Sequence, residues 1–279
     1  PRLLLAAIIG AGLATCGVVM QAIVKNPLAD PYILGISAGA SLGATAAVLL
    51  GIGAALGENA VGISAFLGAF AISVGVLFIA NIGGRANAMK LLLGGMALSA
   101  VCSAFSSFII YFAQDKEGIQ TITYWMMGSL AGAKWEHMAL IGGITALAVL
   151  FFWSQSRILN LMLLGDESAI TLGTDLHPYR QGYLIVSALV VGFAVFAAGM
   201  IGFVGLVVPH VVRMLVGTDH KRLIPVTALT GAIFLVIADG LCRILIPHTE
   251  LPIGILIALV GAPAFIYLMV KRTYGFGGQ

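Results

Sequence analysis

Two long apolar runs, Leu3 to Val24 and Ile33 to Leu56, are separated by the hexapeptide Asn26-Pro27-Leu28-Ala29-Asp30-Pro31. Each run is long enough to cross a bilayer as a helix, for which about 20 apolar residues suffice. Neither helix can continue through the hexapeptide. Each proline lacks an N–H and pushes the residue before it towards extended geometry. The chain is therefore expected to enter a membrane, leave at a tight polar turn, and enter again. A specific polar turn at a membrane surface suits a gate or a docking site.

Composition extends this reading to the whole chain. Hydrophobic residues make up 60% and charged residues 9% of the 279, and the mean hydropathy is +1.08. A soluble domain carries roughly 25% charged residues, so this chain cannot cover a water-facing surface. Only helices or closed barrels satisfy their backbone hydrogen bonds in lipid. The runs are near helix-span length rather than the roughly 10 alternating residues of a barrel strand. The expected fold is all-α: a polytopic transmembrane helical bundle forming one domain over 1–279. Cys16, Cys102 and Cys242 all fall in apolar runs and read as packing residues rather than a disulfide framework. The basic residues are dispersed over many loops, which gives no nucleic-acid surface.

Spans are expected near 3–24, 33–56, 61–82, 91–113, 137–154, 181–200, 202–217, 225–247 and 252–270. The run from Gly182 to Gly217 exceeds one span, and Gly199, Gly202 and Gly205 offer a sharp turn within it. Ile119 to Gly132 is too short to span and too apolar for a free loop, and reads as a re-entrant or interfacial helix. Cytoplasmic loops collect Lys and Arg. With the 26–31 loop inside, Lys25, Arg85, Lys90, Arg157, Arg180, Arg213, Lys221, Arg222, Lys271 and Arg272 lie inside, and Arg2, Lys116, Lys134 and Arg243 outside. That balance puts the C-terminus in the cytoplasm, and nine spans then put Pro1 outside. One further helix before Pro1 would make ten. Gly35, Gly39 and Gly43, and likewise Ala6, Gly10 and Ala14, recur at steps of four, a spacing that lets helix backbones approach closely.

Several polar features allow more than one reading. The loop 155–181 contains Leu164-Gly165-Asp166-Glu167-Ser168-Ala169-Ile170-Thr171-Leu172-Gly173. Asp166 can cap a short helix, Glu167 suits its first turn, and Gly173 can end it. The result is a connector or a shape that fits a partner's groove. Asp239 and Arg243 are four apart on one helix face and can pair; Arg243 is also placed to touch a partner. Gly35-Ile36-Ser37-Ala38-Gly39 matches the hydrolase pattern G-x-S-x-G, but its serine opens a glycine-striped helix rather than a strand-to-helix turn. Pro209-His210 should loosen its helix. No Glu/His spacing suits a metal, and no P-loop pattern is present. An ion-driven secondary transporter needs ionisable groups at mid-membrane, and only Asp239 and His210 approach that.

Four stretches carry a family resemblance: Gln21 to Pro31 with Leu34 to Ala40; Tyr124-Trp125-Met126-Met127-Gly128-Ser129; Gly202 to Arg213; and Glu250-Leu251-Pro252-Ile253-Gly254 with Gly261-Ala262-Pro263. In order and over essentially the whole chain they resemble the permease subunit of the iron-siderophore, haem and cobalamin (FecCD-type) family of type II ABC importers. The resemblance implies ten helices in the full-length protein, a homodimer in membrane lipid, two ATPase subunits on the cytoplasmic side and one substrate-binding protein outside. It implies a bacterial or archaeal plasma (inner) membrane. This chain would bind no cofactor and catalyse nothing itself, with ATP and Mg on the partner ATPase. The cargo implied is a bulky metal chelate, a ferric siderophore first and haem or cobalamin next.

Residue by residue, the resemblance implies a cytoplasmic gate at Asn26 and Leu28. It implies a second gate at Asn87, Ala88 and Met89, where Ala88 and Met89 depart from the small hydroxyl residues common in the family. ATPase coupling maps to Leu164, Gly165, Asp166, Glu167, Ser168, Ala169, Leu172 and Gly173, and binding-protein docking to Arg2 and Arg243. Leu91 to Ala113 matches the helix lining the outer cavity, and Thr121 to Gly132 the short one after it.

Overall fold

The computed structural model describes residues 1–82 and 84–271. Arg272, counted above among the inside basic residues, lies outside them. The described residues form helices and no strand: α1 (Arg2–Val24), α2 (Ile36–Leu50), α3 (Ala60–Asn81), α4 (Ala88–Phe112), α5 (Lys116–Met126), α6 (Trp135–Ser154), α7 (Ser156–Leu164), α8 (Asp166–Thr171), α9 (His177–Ala198), α10 (Val204–Val216), α11 (His220–Ile244) and α12 (Ile253–Lys271). Short 3-10 turns at Pro31–Leu34 and Ala54–Asn59 flank α2.

α1 is the central helix. It is buried from Ile9 almost without break to Val24 and packs on α6, α9, α10 and α11. Its small residues make this possible. A methyl added at Gly10 would stand 2.2 Å from the Gly231 carbonyl oxygen of α11, and one at Gly17 would stand 1.9 Å from the Gly205 carbonyl oxygen of α10. Ala6 and Ala14, fully buried, complete the expected stripe. The second stripe behaves likewise: Gly39 and Gly43 of α2 would meet the Gly68 and Ser64 carbonyls of α3 at 2.4 and 2.0 Å. In lipid, such backbone approach supplies the dispersion contact that water-driven burial supplies elsewhere. The three cysteines are free and buried, as packing residues.

Three features differ from the sequence reading. The polar hexapeptide does not stay at the surface. Pro31 packs on Gly205, beside the Leu13 carbonyl, although α1 runs on to Val24. At 1.5 Å per residue this sets Pro31 about 15 Å back from the end of α1. The extended segment after Lys25 thus dips into the bundle, and the 3-10 turn Pro31–Leu34 and α2 continue from there. At the start of that 3-10 turn Asp30 acts as its cap, accepting the Tyr32 N–H at 2.9 Å. The interfacial helix also begins earlier and ends sooner than 119–132. Asp115 accepts the Gly118 N–H at 3.0 Å and caps α5, and Gly128, with φ 73, follows its end. Third, among the described residues six helical segments are long and apolar enough to cross a membrane, whereas α2 and α10 are shorter apolar helices. The other expected spans fall on α2, α10 and α12. α2 is shortened by the inward dip, and α10 by a break where the long run was expected to turn: α9 ends before Gly199 (φ 68), and Phe203 adopts φ 66.

The break is braced by main-chain bonds. Ser129 N donates to the Ala198 carbonyl at 2.8 Å, and Gly254 N to the Met127 carbonyl at 3.0 Å. The Met127–Ser129 segment thereby ties α5 to the end of α9 and the start of α12.

The α1–α10 crossing gives a direct test. Gly17→Ala puts a methyl onto a carbonyl, and overpacking of this kind costs about 1–3 kcal/mol or more. The detergent-solubilised protein should lose thermal stability measurably. Gly143→Ala in α6, where an added methyl meets nothing within 4 Å, should not.

Candidate functional site

The end of the bundle where α1 finishes carries Lys25, Arg85, Arg180 and Lys221. The loop after α1 is closed by its own side chains: Asn26 Oδ1 accepts the Leu28 N–H at 2.9 Å, an Asx-type turn. Gln21, fully buried, donates Nε2 to the Ala29 carbonyl at 3.2 Å and accepts from Arg213 Nη2 of α10 at 2.6 Å. Asn26 is exposed and Leu28 half-buried. Both candidate gate residues therefore sit on a loop held from two sides.

The second candidate gate starts α4. Asn87 caps the helix, its Oδ1 accepting the Lys90 N–H at 2.9 Å, and Lys90 Nζ donates to the Ile82 carbonyl at 3.3 Å. Ala88 is half-buried and Met89 exposed. Both gate asparagines thus spend their carbonyl oxygen on local backbone.

In the 155–181 loop, α7 and α8 meet at Gly165, which adopts φ 99 and faces Lys25 Nζ, so the turn lies against the end of α1. The expected cap is corrected: Gly165, not Asp166, is the N-cap of α8, and no side chain caps it. Asp166 is drawn away by Arg180, whose Nη2 pairs with Asp166 Oδ1 at 2.6 Å while Nη1 donates to the Ala86 carbonyl at 3.0 Å. The other terminus is as expected. Thr174 N reaches the Ala169 carbonyl and Gly173 N the Ile170 carbonyl, each at 2.9 Å, with Gly173 left-handed at φ 79; this is a Schellman end. Ala169 is fully buried, whereas Glu167 and Ser168 are exposed and Leu164, Ile170 and Leu172 expose apolar side chains. Nearby, Asn160 of α7 donates to Asp219 at 2.8 Å and accepts the His220 N–H at 2.9 Å, fastening α7 to the start of α11. The Asn160 amide and the Lys221 N–H hold the Asp219 carboxyl below its ordinary range.

The opposite end holds the two candidate docking arginines, and both converge on one carboxylate. Asp239, 1% exposed, accepts from Arg2 Nε at 2.9 Å and pairs with Arg243; Arg2 also reaches Glu250 at 2.8 Å. The expected Asp239–Arg243 pair is present, with Arg2 as a third member. This places Asp239 near the end of α11, shared by two cations. At the same end Lys134 pairs with Glu58, which raises the Lys134 ammonium above its usual value.

A cavity of about 330 Å³ lies where the hexapeptide enters the bundle, lined by Asp30, Tyr32, Ser37, Met200, Gly202, Phe203 and Leu206. Ser37 opens α2 from Gly35, with no preceding strand and no histidine in that lining. A serine-hydrolase elbow is therefore not formed. Among the described residues no group of three His, Cys, Asp or Glu side chains is placed to hold a metal.

A family model described as the FecCD transport family matches residues 1–271. The chain belongs to the FecCD transport family. The haemin transport permease HmuU of Yersinia pestis is 39% identical to this FecCD chain over 276 residues, covering 98% of it and 81% of the relative. The vitamin B12 import permease BtuC of Salmonella typhi is 42% identical over 275 residues, covering 98% and 82%. A solved transporter assigned to the metal-chelate ABC type, in an inward-facing conformation, superposes with TM-score 0.88 at 37% identity, over 98% of this chain and 85% of its own. PsaBC of Streptococcus pneumoniae, at TM-score 0.62 and 15% identity over 97% and 94%, shares the fold. This FecCD protein is thus an integral membrane permease component of an ABC transporter rather than an enzyme.

Sequence reasoning missed two links: Gln21 to Arg213, and Arg180 to both Asp166 and Ala86. Arg180 was legible only as one more basic loop residue, because its acceptors are distant in sequence and one is a main-chain carbonyl.

Asp239→Ala leaves two arginines without their shared counter-charge. The arginines left behind are partly solvated and Arg2 keeps Glu250, so the expected outcome is a modest loss of stability, which thermal unfolding of the purified FecCD permease should register.

Proposed function

We propose that this FecCD permease is the translocation subunit of an ATP-driven importer for a bulky metal chelate. The observation that carries the reading is α8. It carries exposed Ile170 between the exposed Leu164 and Leu172 that flank it at the basic end of the bundle; Arg180 ties its first residue to the segment before α4, and Gly165 just ahead of it faces Lys25 after α1. A short helix with exposed apolar residues in it and at both its ends, linked to two candidate gates, suits the groove of an ATPase subunit. The basic end is then cytoplasmic, with the C-terminus on that side, and the 155–181 loop is the coupling loop, with Leu164, Gly165, Asp166, Glu167, Ser168, Ala169, Leu172 and Gly173 forming or backing the contact. ATP and Mg belong to the partner.

The working unit is a homodimer with two ATPases below and one binding protein above. Only Leu91, Gly94, Gly95, Cys102 and Ser106 of α4 are buried within the chain. That leaves a broad apolar side for the second copy and the path between them. Asn26 and Leu28, with Asn87, Ala88 and Met89, close the path on the cytoplasmic side. Nucleotide acts by favouring one state of the permease over another, the only way a partner can shift an equilibrium. The cargo is a metal chelate of the siderophore, haem and cobalamin class; the named activities of HmuU and BtuC support haem and vitamin B12 beside the ferric siderophore expected from family frequency.

The reading is tested by purifying the FecCD permease from native membranes and identifying what accompanies it. A P-loop ATPase at equal stoichiometry with vanadate-sensitive activity is the expected result. Leu172→Asp, which puts a charge on the exposed apolar residue that ends α8, should strip most of that ATPase from the complex. A permease that transports with no ATPase present would overturn the proposal. At the other end, Arg243→Gln should weaken binding-protein docking about tenfold, which is 1.4 kcal/mol. Unchanged affinity in a titration of the reconstituted complex would remove Arg243 from the docking surface.

A further inference from the structure

We infer that Arg180 is a positioning residue that locks α8 to the start of α4, so that a displacement of the ATPase-facing helix is delivered to the Asn87-Ala88-Met89 segment. The inference rests on the coupling and gate assignments proposed above. Arg180 is 4% exposed in the first turn of α9, and its two terminal nitrogens are divided between two segments. Nη2 holds Asp166 at 2.6 Å, at the first residue of α8, and Nη1 holds the Ala86 carbonyl at 3.0 Å, one residue before the Asn87 cap of α4.

The surroundings leave these segments little independent freedom. Ala169 on the inner side of α8 and Ala86 are both buried. Arg85 pairs with Asp175 at 3.0 Å, joining the same two loops a second time. That second pair is largely exposed on both sides, and exposed pairs hold little, so the buried guanidinium is the tie that matters. A guanidinium presents its donors in a fixed fork, whereas an ammonium is a point charge. Arginine can therefore hold a carboxylate and a carbonyl at a set separation in a way lysine cannot. The α1 loop reaches α8 differently, through Lys25 facing Gly165, so the two gates receive the motion by separate contacts.

The experiment uses the complete transporter, with ATPase and binding protein, in nanodiscs. Met89→Cys is the reporter, labelled with a membrane-impermeant maleimide in the nucleotide-free and vanadate-trapped states. The native Cys16, Cys102 and Cys242 are buried, which keeps background low. With Arg180 in place, trapping should change the Met89→Cys labelling rate about fivefold or more, the lower end of ordinary site-to-site coupling. In Arg180→Lys and Asp166→Asn complexes that still trap nucleotide, the change should fall below about twofold, and Asp166→Glu should restore much of it. A merely structural role for Arg180 would lower the yield of assembled complex and leave this ratio intact. An undiminished response in both variants overturns the inference while the gate assignment stands. A reporter that ignores nucleotide even with Arg180 intact overturns the gate assignment, and the inference falls with it.

Discussion

The rest of the structure depends on α1 touching two neighbours backbone to backbone. Lipid tails are as apolar as leucine, so no hydrophobic force drives these helices together once they are in the membrane, and close packing must supply the attraction. Gly10 against Gly231 and Gly17 against Gly205 are the points where it does so. The second crossing also decides where the polar hexapeptide goes. Gly205 touches α1 at Gly17 and Pro31 of the loop, so the residue that lets α10 approach α1 also seats the segment leading into α2. A side chain at Gly205 would displace both.

Once the frame is set by small residues, polar groups have clear tasks at its two ends. Each end has a group that joins elements distant in sequence. At one, Asp239 gathers Arg2 from the start of α1 and Arg243 from its own helix. At the other, Arg180 gathers Asp166 and the Ala86 carbonyl. The logic is inverted: a buried carboxylate holding two cations, and a buried cation holding two acceptors. In both cases a buried charge is costly unless its partners stay in place, so each group resists separation of the elements it joins.

The architecture was legible where it rests on periodicity and composition. The apolar runs mark the helices, the steps of four at Ala6-Gly10-Ala14 and Gly35-Gly39-Gly43 mark real close contacts, and Gly199 and Gly173 mark the ends of α9 and α8. What was not legible depends on distant partners. The two prolines predict that the helices stop, but nothing local says that Pro31 turns inward to meet Gly205. Asp166 has the chemistry of a cap, yet its carboxylate is engaged by Arg180, fourteen residues on. α5 was placed by its apolar residues and so began at Ile119, whereas its start is set by the polar cap Asp115.

α1 and α4 differ in how this frame holds them. Seventeen of the 23 residues of α1 are buried within the chain, against five of 25 in α4. α1 is held along most of its length, whereas α4 presents most of its surface outward. Local stability follows such contact, so within one copy α4 is held less firmly than α1. Its polar anchors lie at its N-terminal end: the Asn87 cap, the Lys90 contact to Ile82, and the Arg180 bond to Ala86. Along its inner side α4 packs on α2 and α3, with Ser99 and Gly95 against Gly35 and Leu98 against Gly75. The polar contacts near residue 86 therefore fix the N-terminal end of a helix whose inner side is already set by α2 and α3.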